Sequence, residues 1–227
     1  MIYLYSEGAF VFRARESGGR ALTVGDIMTA VSPDRVEAGV APALGEPLAV
    51  EFGNTRHTVR GDLREGLATP AMLAAWLRAR AADFPGDLAD SAARALGDGD
   101  LARFVRLRDA VRALARALVN GTAPPAAHLA TLNEAAAAAP SWPRLSWTGE
   151  PAVREVTAAP PVDAVLAVIA ASAVEVFGGP QRSALRACGG PGCVLFFVRR
   201  HPRRAWCSPG CGNRARVSRH YERHRAR

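Results

Sequence analysis

Apolar and polar positions become readable as elements from Leu48 onward. Leu48 to Phe52 is a short apolar segment that ends at Gly53-Asn54-Thr55-Arg56 and reads as a strand. Thr69-Pro70 is a helix start, with a capping hydroxyl before a proline at the first helical position. The helix carries Met72, Leu73, Trp76 and Leu77 on one face. Asp87 opens a short helix through Leu96, and Asp98 or Asp100 opens a longer one to Val119, stopped by Asn120-Gly121. Its apolar positions Leu101, Phe104, Val105, Val111, Leu114 and Leu118 keep the helical period. Thr122 leads into another helix through Ala139. Leu145-Ser146-Trp147 and Val153 to Thr157 flank Thr148-Gly149-Glu150-Pro151 as a hairpin. Pro161 opens an apolar helix that closes near Phe177. The expected fold is mainly α: a helical body with short strands over 48–180 and a small module over 181–227. Residues 1–47 have no assigned role. Alternation in Ile2 to Phe12 suggests a strand, Gly18-Gly19 a turn, and Met28 is an alternative start.

Charge separates the two parts. All 29 basic residues are arginines. Residues 182–227 hold 12 arginines and one acid, Glu222, whereas residues 1–181 hold 17 arginines and 20 acids. The positive excess therefore lies in the last 46 residues, which suits them to a polyanion and the body to some other task. Alanine supplies 46 positions, yet the larger apolar residues still suffice for a core. No run approaches the roughly 20 apolar residues of a membrane span. The best, Ala164 to Val174, sits between Asp163 and Glu175 and reads as a buried helix. The N-terminus lacks the pattern of a secretory signal, so a cytoplasmic, reducing location is expected.

Four cysteines, Cys188, Cys193, Cys207 and Cys211, form two close pairs spaced C-x4-C-x13-C-x3-C. Two such pairs can bring four sulfurs to the corners of a tetrahedron, the closed shell that structural Zn²⁺ prefers. The spacers Gly189-Gly190-Pro191-Gly192 and Ser208-Pro209-Gly210 are turn formers. Disulfides would need an oxidising compartment. A competing shell would combine Cys207 and Cys211 with His220 and His224, but it orphans the other pair. Between the pairs, Val194 to Val198 reads as a strand covering the metal, Arg199 to Arg204 as a basic turn, and Trp206 as packing on the site. Asn213 to about Arg225 is expected to be helical. Arg216, Arg219 and Arg223 share one face of it, a ridge suited to phosphates and groove edges. Arg203 and Arg204 in the basic turn, with Asn213 and Arg214, complete the candidate nucleic-acid set. The last two could equally brace the module internally.

Arg204-Ala205-Trp206-Cys207-Ser208-Pro209-Gly210-Cys211-Gly212-Asn213-Arg214, with Cys188 and Cys193 ahead of Val194-Leu195-Phe196, closely resembles the CGNR zinc finger of bacterial proteins. The body resembles the ABATE domain that precedes this finger. The resemblance is carried by Phe52-Gly53-Asn54-Thr55, Thr69-Pro70 leading to Ala75-Trp76-Leu77, and Leu107 to Arg112. Departures are Glu51 where the family often has aspartate, Gly53 as a small spacer, and Arg199 where many members carry an acid. The resemblance implies a helical body, a zinc finger and DNA binding in transcription regulation. Asn54, Thr55 and Arg108 are the candidates for a small-molecule effector pocket, against structural roles as caps and a buried ion-pair anchor. A regulator of this kind would bind duplex DNA through the finger while the body senses a signal or forms a homodimer. The alternatives are RNA or the ribosome as target, or protein contacts made by the zinc module. An enzyme is not expected. A closed cysteine shell has no open metal position, there is no Gly-x-Ser-x-Gly string or phosphate-cradling glycine loop, and the five histidines form no catalytic set with acids.

Overall fold

The protein is described from a computed structural model, over residues 41–225. The expected strand at Ile2 to Phe12 and turn at Gly18-Gly19 lie outside the described residues. Helices dominate, with three two-stranded antiparallel sheets.

Thr69 caps α2 (Pro70–Ala79, numbering the helices from Leu48), its hydroxyl accepting from the Met72 N–H at 3.2 Å. Helices α3 (Leu88–Ala95), α4 (Asp100–Asn120) and α5 (Ala126–Ala137) follow within a few residues of the expected bounds. The hairpin is longer than its apolar residues suggested: β3 (Ser141–Thr148) and β4 (Glu150–Thr157) pair along their full length around Gly149. Helix α6 (Pro161–Gly178) is the central element and packs against α3, α4 and α5. Burial of Val165, Ile169, Ala170 and Ala173 accounts for its high apolar content as that of a core helix.

One expectation is corrected, and one element was not foreseen. Leu48–Gly53 is a helix, α1, and all six of its residues are buried. It lies against α4 and α6, with Phe52 in aromatic contact with Trp76 and Phe104 at 5.3 and 6.3 Å. A run this short is apolar on every side because it is enclosed on every side, so it shows no helical period. The chain then turns into an unforeseen hairpin, β1 (Arg56–Val59) and β2 (Asp62–Glu65), whose second strand is mostly exposed.

The C-terminal module is not a separate bead. The described residues, 41–225, fall in one compact unit. Strands β5 (Leu185–Ala187) and β6 (Phe196–Val198) pair antiparallel. Leu185, Phe196 and Val198 join Val50, Ala115 and Val176 of α1, α4 and α6 in a shared apolar cluster. Because strand side chains alternate, Phe197 points the other way and packs with Cys188, Cys207 and Cys211. One three-residue strand thus joins the body core to the cysteine cluster. Helix α7 (Pro209–Arg225) ends the described chain.

Candidate metal centre and basic helix

The four cysteine sulfurs lie within 4.8 Å of one another. Cys207 Sγ is 3.4 Å from Cys211 Sγ and 3.8 Å from Cys193 Sγ. Zinc–sulfur bonds of about 2.3 Å at tetrahedral angles place sulfurs about 3.8 Å apart, so the set has the spacing of a closed four-thiolate shell. Backbone bonds hold the pairs in place. The Cys188 N–H donates to Leu195 O at 2.8 Å, the Cys193 N–H to Gly190 O at 2.9 Å, and the Cys207 N–H to Cys188 Sγ at 3.4 Å.

The buried thiols perturb one another. Hydrogen bonds from Cys193 and Cys207 hold the Cys188 thiol far below its ordinary range. Those bonds to Cys188, together with burial, push Cys193 up to about 12 and Cys207 higher still. Structural Zn²⁺ takes cysteine ligands as thiolates, so the bound ion would offset the charge of these closely spaced sulfurs.

Two glycines fit the site because a side chain would not. A Cβ on Gly190 would lie 3.1 Å from Cys211 Cβ and 3.3 Å from its sulfur. A Cβ on Gly212 would lie 2.9 Å from Trp206 Cδ1. Trp206 packs against the cluster, and Gly212 lets the start of α7 pass beside its ring. Arg214 donates from Nη2 to Cys211 Sγ at 2.9 Å, offsetting thiolate charge. It therefore takes the bracing place, while Asn213 is exposed. His220 and His224 stack on each other along α7, their Nε2 atoms 3.2 Å apart and exposed, and the shell is made by the four cysteines instead.

Arg216, Arg219 and Arg223 are exposed on one face of α7. Among the described residues no acid lies within ion-pair distance of any of them, and Glu222 accepts from Ser218 instead. Arg203 is exposed in the turn before Trp206. Arg204 differs. Its guanidinium lies 4.9 Å over the Phe197 ring, pairs with buried Glu46, and donates to the carbonyls of Val198, Trp206 and Cys207. Its donors are engaged inside the protein.

At the candidate pocket residues Asn54, Thr55 and Arg108 the side chains are internally bonded. Asn54 Nδ2 donates to Phe196 O and its Oδ1 accepts from the Phe196 N–H, both at 2.9 Å and fully buried. Thr55 Oγ1 donates to Phe52 O at 2.7 Å. Arg108 is buried and paired with Glu65 and Asp109. The Phe52-Gly53-Asn54-Thr55 string thus positions the finger strand.

Sequence reasoning missed Arg112 and Glu46 as members of this joint. Arg112 donates to Gly53 O at 2.7 Å, Arg56 O at 3.1 Å and, across the joint, Val194 O at 3.1 Å. Burial, then the neighbouring Arg116, Arg108 and Arg56, lower it to about 10. Glu46 accepts from the Val198 N–H at 2.9 Å as well as from Arg204. Nothing in the spacing marks either residue.

A helical body carrying a four-cysteine zinc module with a basic helix is the class of protein this geometry defines. Comparison with known families agrees. Residues 46–180 match the ABATE family, described as "putative stress-induced transcription regulator", and residues 184–224 match the CGNR zinc finger. The chain belongs to the ABATE family and carries a CGNR zinc finger at its C-terminal side. No curated protein matches the chain. The cysteine cluster is a structural zinc site, with Cys188, Cys193, Cys207 and Cys211 as its donors.

Proposed function

We propose that the protein binds duplex DNA through α7 and acts as a transcription regulator, the helical body serving as its sensing or dimerisation part. The observation that carries this reading is the ridge of Arg216, Arg219 and Arg223, exposed and without acid partners among the described residues. Zinc orders the start of α7 through Cys211, and Arg214 neutralises part of the thiolate charge that would otherwise repel phosphate. Arg203 and Asn213 lie exposed near the same end of the module and extend the contact surface. Arg204 acts inside the joint and supports the interface without touching DNA.

The body's role follows from how the finger is held. Asn54, Arg112 and Glu46 each bond the finger backbone from the body. A change in the body's packing therefore reaches the finger directly. RNA is the second reading, because phosphate contacts alone do not separate the polymers. The exposed aromatic on α7 is Tyr221, a sparse platform for stacking single-stranded bases, so duplex DNA is favoured over it.

The test is a competition gel shift with zinc-loaded protein and labelled duplex DNA, challenged by unlabelled duplex DNA or RNA. The expected result is displacement by duplex DNA at lower concentration than by RNA, and loss of the shift in Arg216→Ala/Arg219→Ala/Arg223→Ala. More effective displacement by RNA would assign the ridge to RNA. Absence of any shift would make the finger a protein-docking module.

A further inference from the structure

The β3–β4 ribbon carries a second basic site that the finger does not account for. Its register places Arg144 directly opposite Arg154. Both are exposed, and among the described residues neither has an acid or hydrogen-bond partner. Directly opposed residues hold their Cβ atoms about 4.5–5.5 Å apart, and like charges so placed destabilise the pair. Alternation puts Trp142, Ser146 and Val156 on the same face. Glu155 is on the opposite face, where Ser141 Oγ donates to it at 2.7 Å. Glu150 shares the arginine face but lies four residues along the strand from Arg154, about 13 Å away. Arg144 and Arg154 also line a shallow hollow of about 500 Å³ together with Leu145, Ser146, Trp147 and Val156. A bound anion would turn the repulsion of the two guanidinium groups into a two-sided clamp.

We propose that the ribbon is a second nucleic-acid contact, with Arg144 and Arg154 clamping the phosphate backbone of the duplex held by α7. This rests on the DNA-binding reading above. The ribbon enters the first turn of α6 at Pro161, and the finger leaves its last turn at Gly178. Eighteen helical residues rise about 27 Å, close to the length of about eight base pairs at 3.4 Å each. The ribbon and the finger are thus joined to opposite ends of one helix about 27 Å long. A two-stranded ribbon also fits the major groove, about 12 Å wide. Trp142, about half exposed beside Arg144, supplies an apolar surface for sugar or base edges.

The experiment is fluorescence anisotropy of full-length, zinc-loaded protein with a 24-base-pair duplex over a salt series, comparing wild type with Arg144→Ala/Arg154→Ala. Removing two phosphate contacts should make the slope of log K against log salt shallower by about 1.8. It should also lower affinity tenfold or more at the lowest salt. Thermal stability should be unchanged or raised, because a like-charge pair is removed; a structural role for the arginines would lower it. Wild-type binding with an unchanged slope in the variant overturns the clamp and leaves the α7 reading standing, and makes the ribbon a surface for protein partners or a second copy of the chain. Absence of wild-type binding overturns both.

Discussion

Replacing Asn54 with alanine tests the joint between body and finger at one side chain. The amide makes two hydrogen bonds of 2.9 Å, one to the N–H and one to the carbonyl of Phe196, and all of these groups are buried. Alanine leaves both backbone groups without a partner in a site that water does not reach. Each orphaned buried polar group costs about 1–3 kcal/mol, so the pair together costs about 2–6 kcal/mol, a sizeable part of a typical domain's margin of about 5–15 kcal/mol. In a region of this size each kcal/mol lowers Tm by about 2–4 °C, so a loss of at least about 4 °C is expected. Urea unfolding and calorimetry of the zinc-loaded protein measure it. Asn54→Asp keeps the acceptor and loses the donor while adding a buried charge, and should be destabilised as well. Hydrogen exchange should show faster opening of Leu185–Ala187 and Phe196–Val198 in the alanine variant than in wild type. A loss below 0.5 kcal/mol (a threshold about half of one ordinary hydrogen bond), with unchanged exchange, would refute Asn54 as the strand's anchor.

Further outcomes follow from the same geometry. Zinc analysis of the purified chain should give one ion per molecule, and a strong chelator should unfold the β5–β6–α7 module, read as a change in Trp206 fluorescence and a loss of helical signal. Cys207→Ser should not retain the ion. Gly212→Ala forces Trp206 away from a 2.9 Å approach and should cost about 1–3 kcal/mol with weaker zinc retention, measured by unfolding and chelator competition. Glu51 accepts from the Leu44 and Glu46 N–H groups, both at 2.8 Å, and its pKa is raised from 4.5, chiefly by burial and despite those bonds and Arg80. Its folded state binds the proton more tightly than its unfolded state, so its contribution to stability falls as pH rises from about 4.5 through the raised pKa. Glu51→Gln keeps an acceptor oxygen and should flatten that fall in urea unfolding between pH 4.5 and 8; an unchanged pH slope would show that Glu51 is not its source.

The helices of the body were legible because their signals are local. Thr69-Pro70 is a cap whether or not anything packs on it, and Phe104 to Leu118 holds the helical period because one face of α4 meets solvent. Helix α1 was not legible because burial on all sides erases that period. Hairpin β1–β2 escaped notice because its second strand is polar and its turn uses Arg60 at φ +54 before Gly61, instead of a residue that favours this backbone. The zinc shell was legible for the opposite reason to the joint. Its ligands fall within 24 residues and their spacing encodes the tetrahedron. Glu46 meets Arg204 across 158 residues, and Arg112 meets Val194 across 82. No spacing rule distinguishes a buried arginine that brackets two elements from the exposed ones on α7, so Arg204 read as a phosphate contact, and spacing alone left Asn54 between a cap and a pocket candidate.

Contact between the α7 ridge and phosphate is the central claim for this protein. The most direct measurement is the salt dependence of binding to a duplex by zinc-loaded wild type and by Arg216→Ala/Arg219→Ala/Arg223→Ala. Three phosphate contacts contribute a slope of about −2.7 in log K against log salt. Wild type should therefore be steeper than the variant by about that amount. Equal slopes, or a wild type whose binding ignores salt, would contradict it.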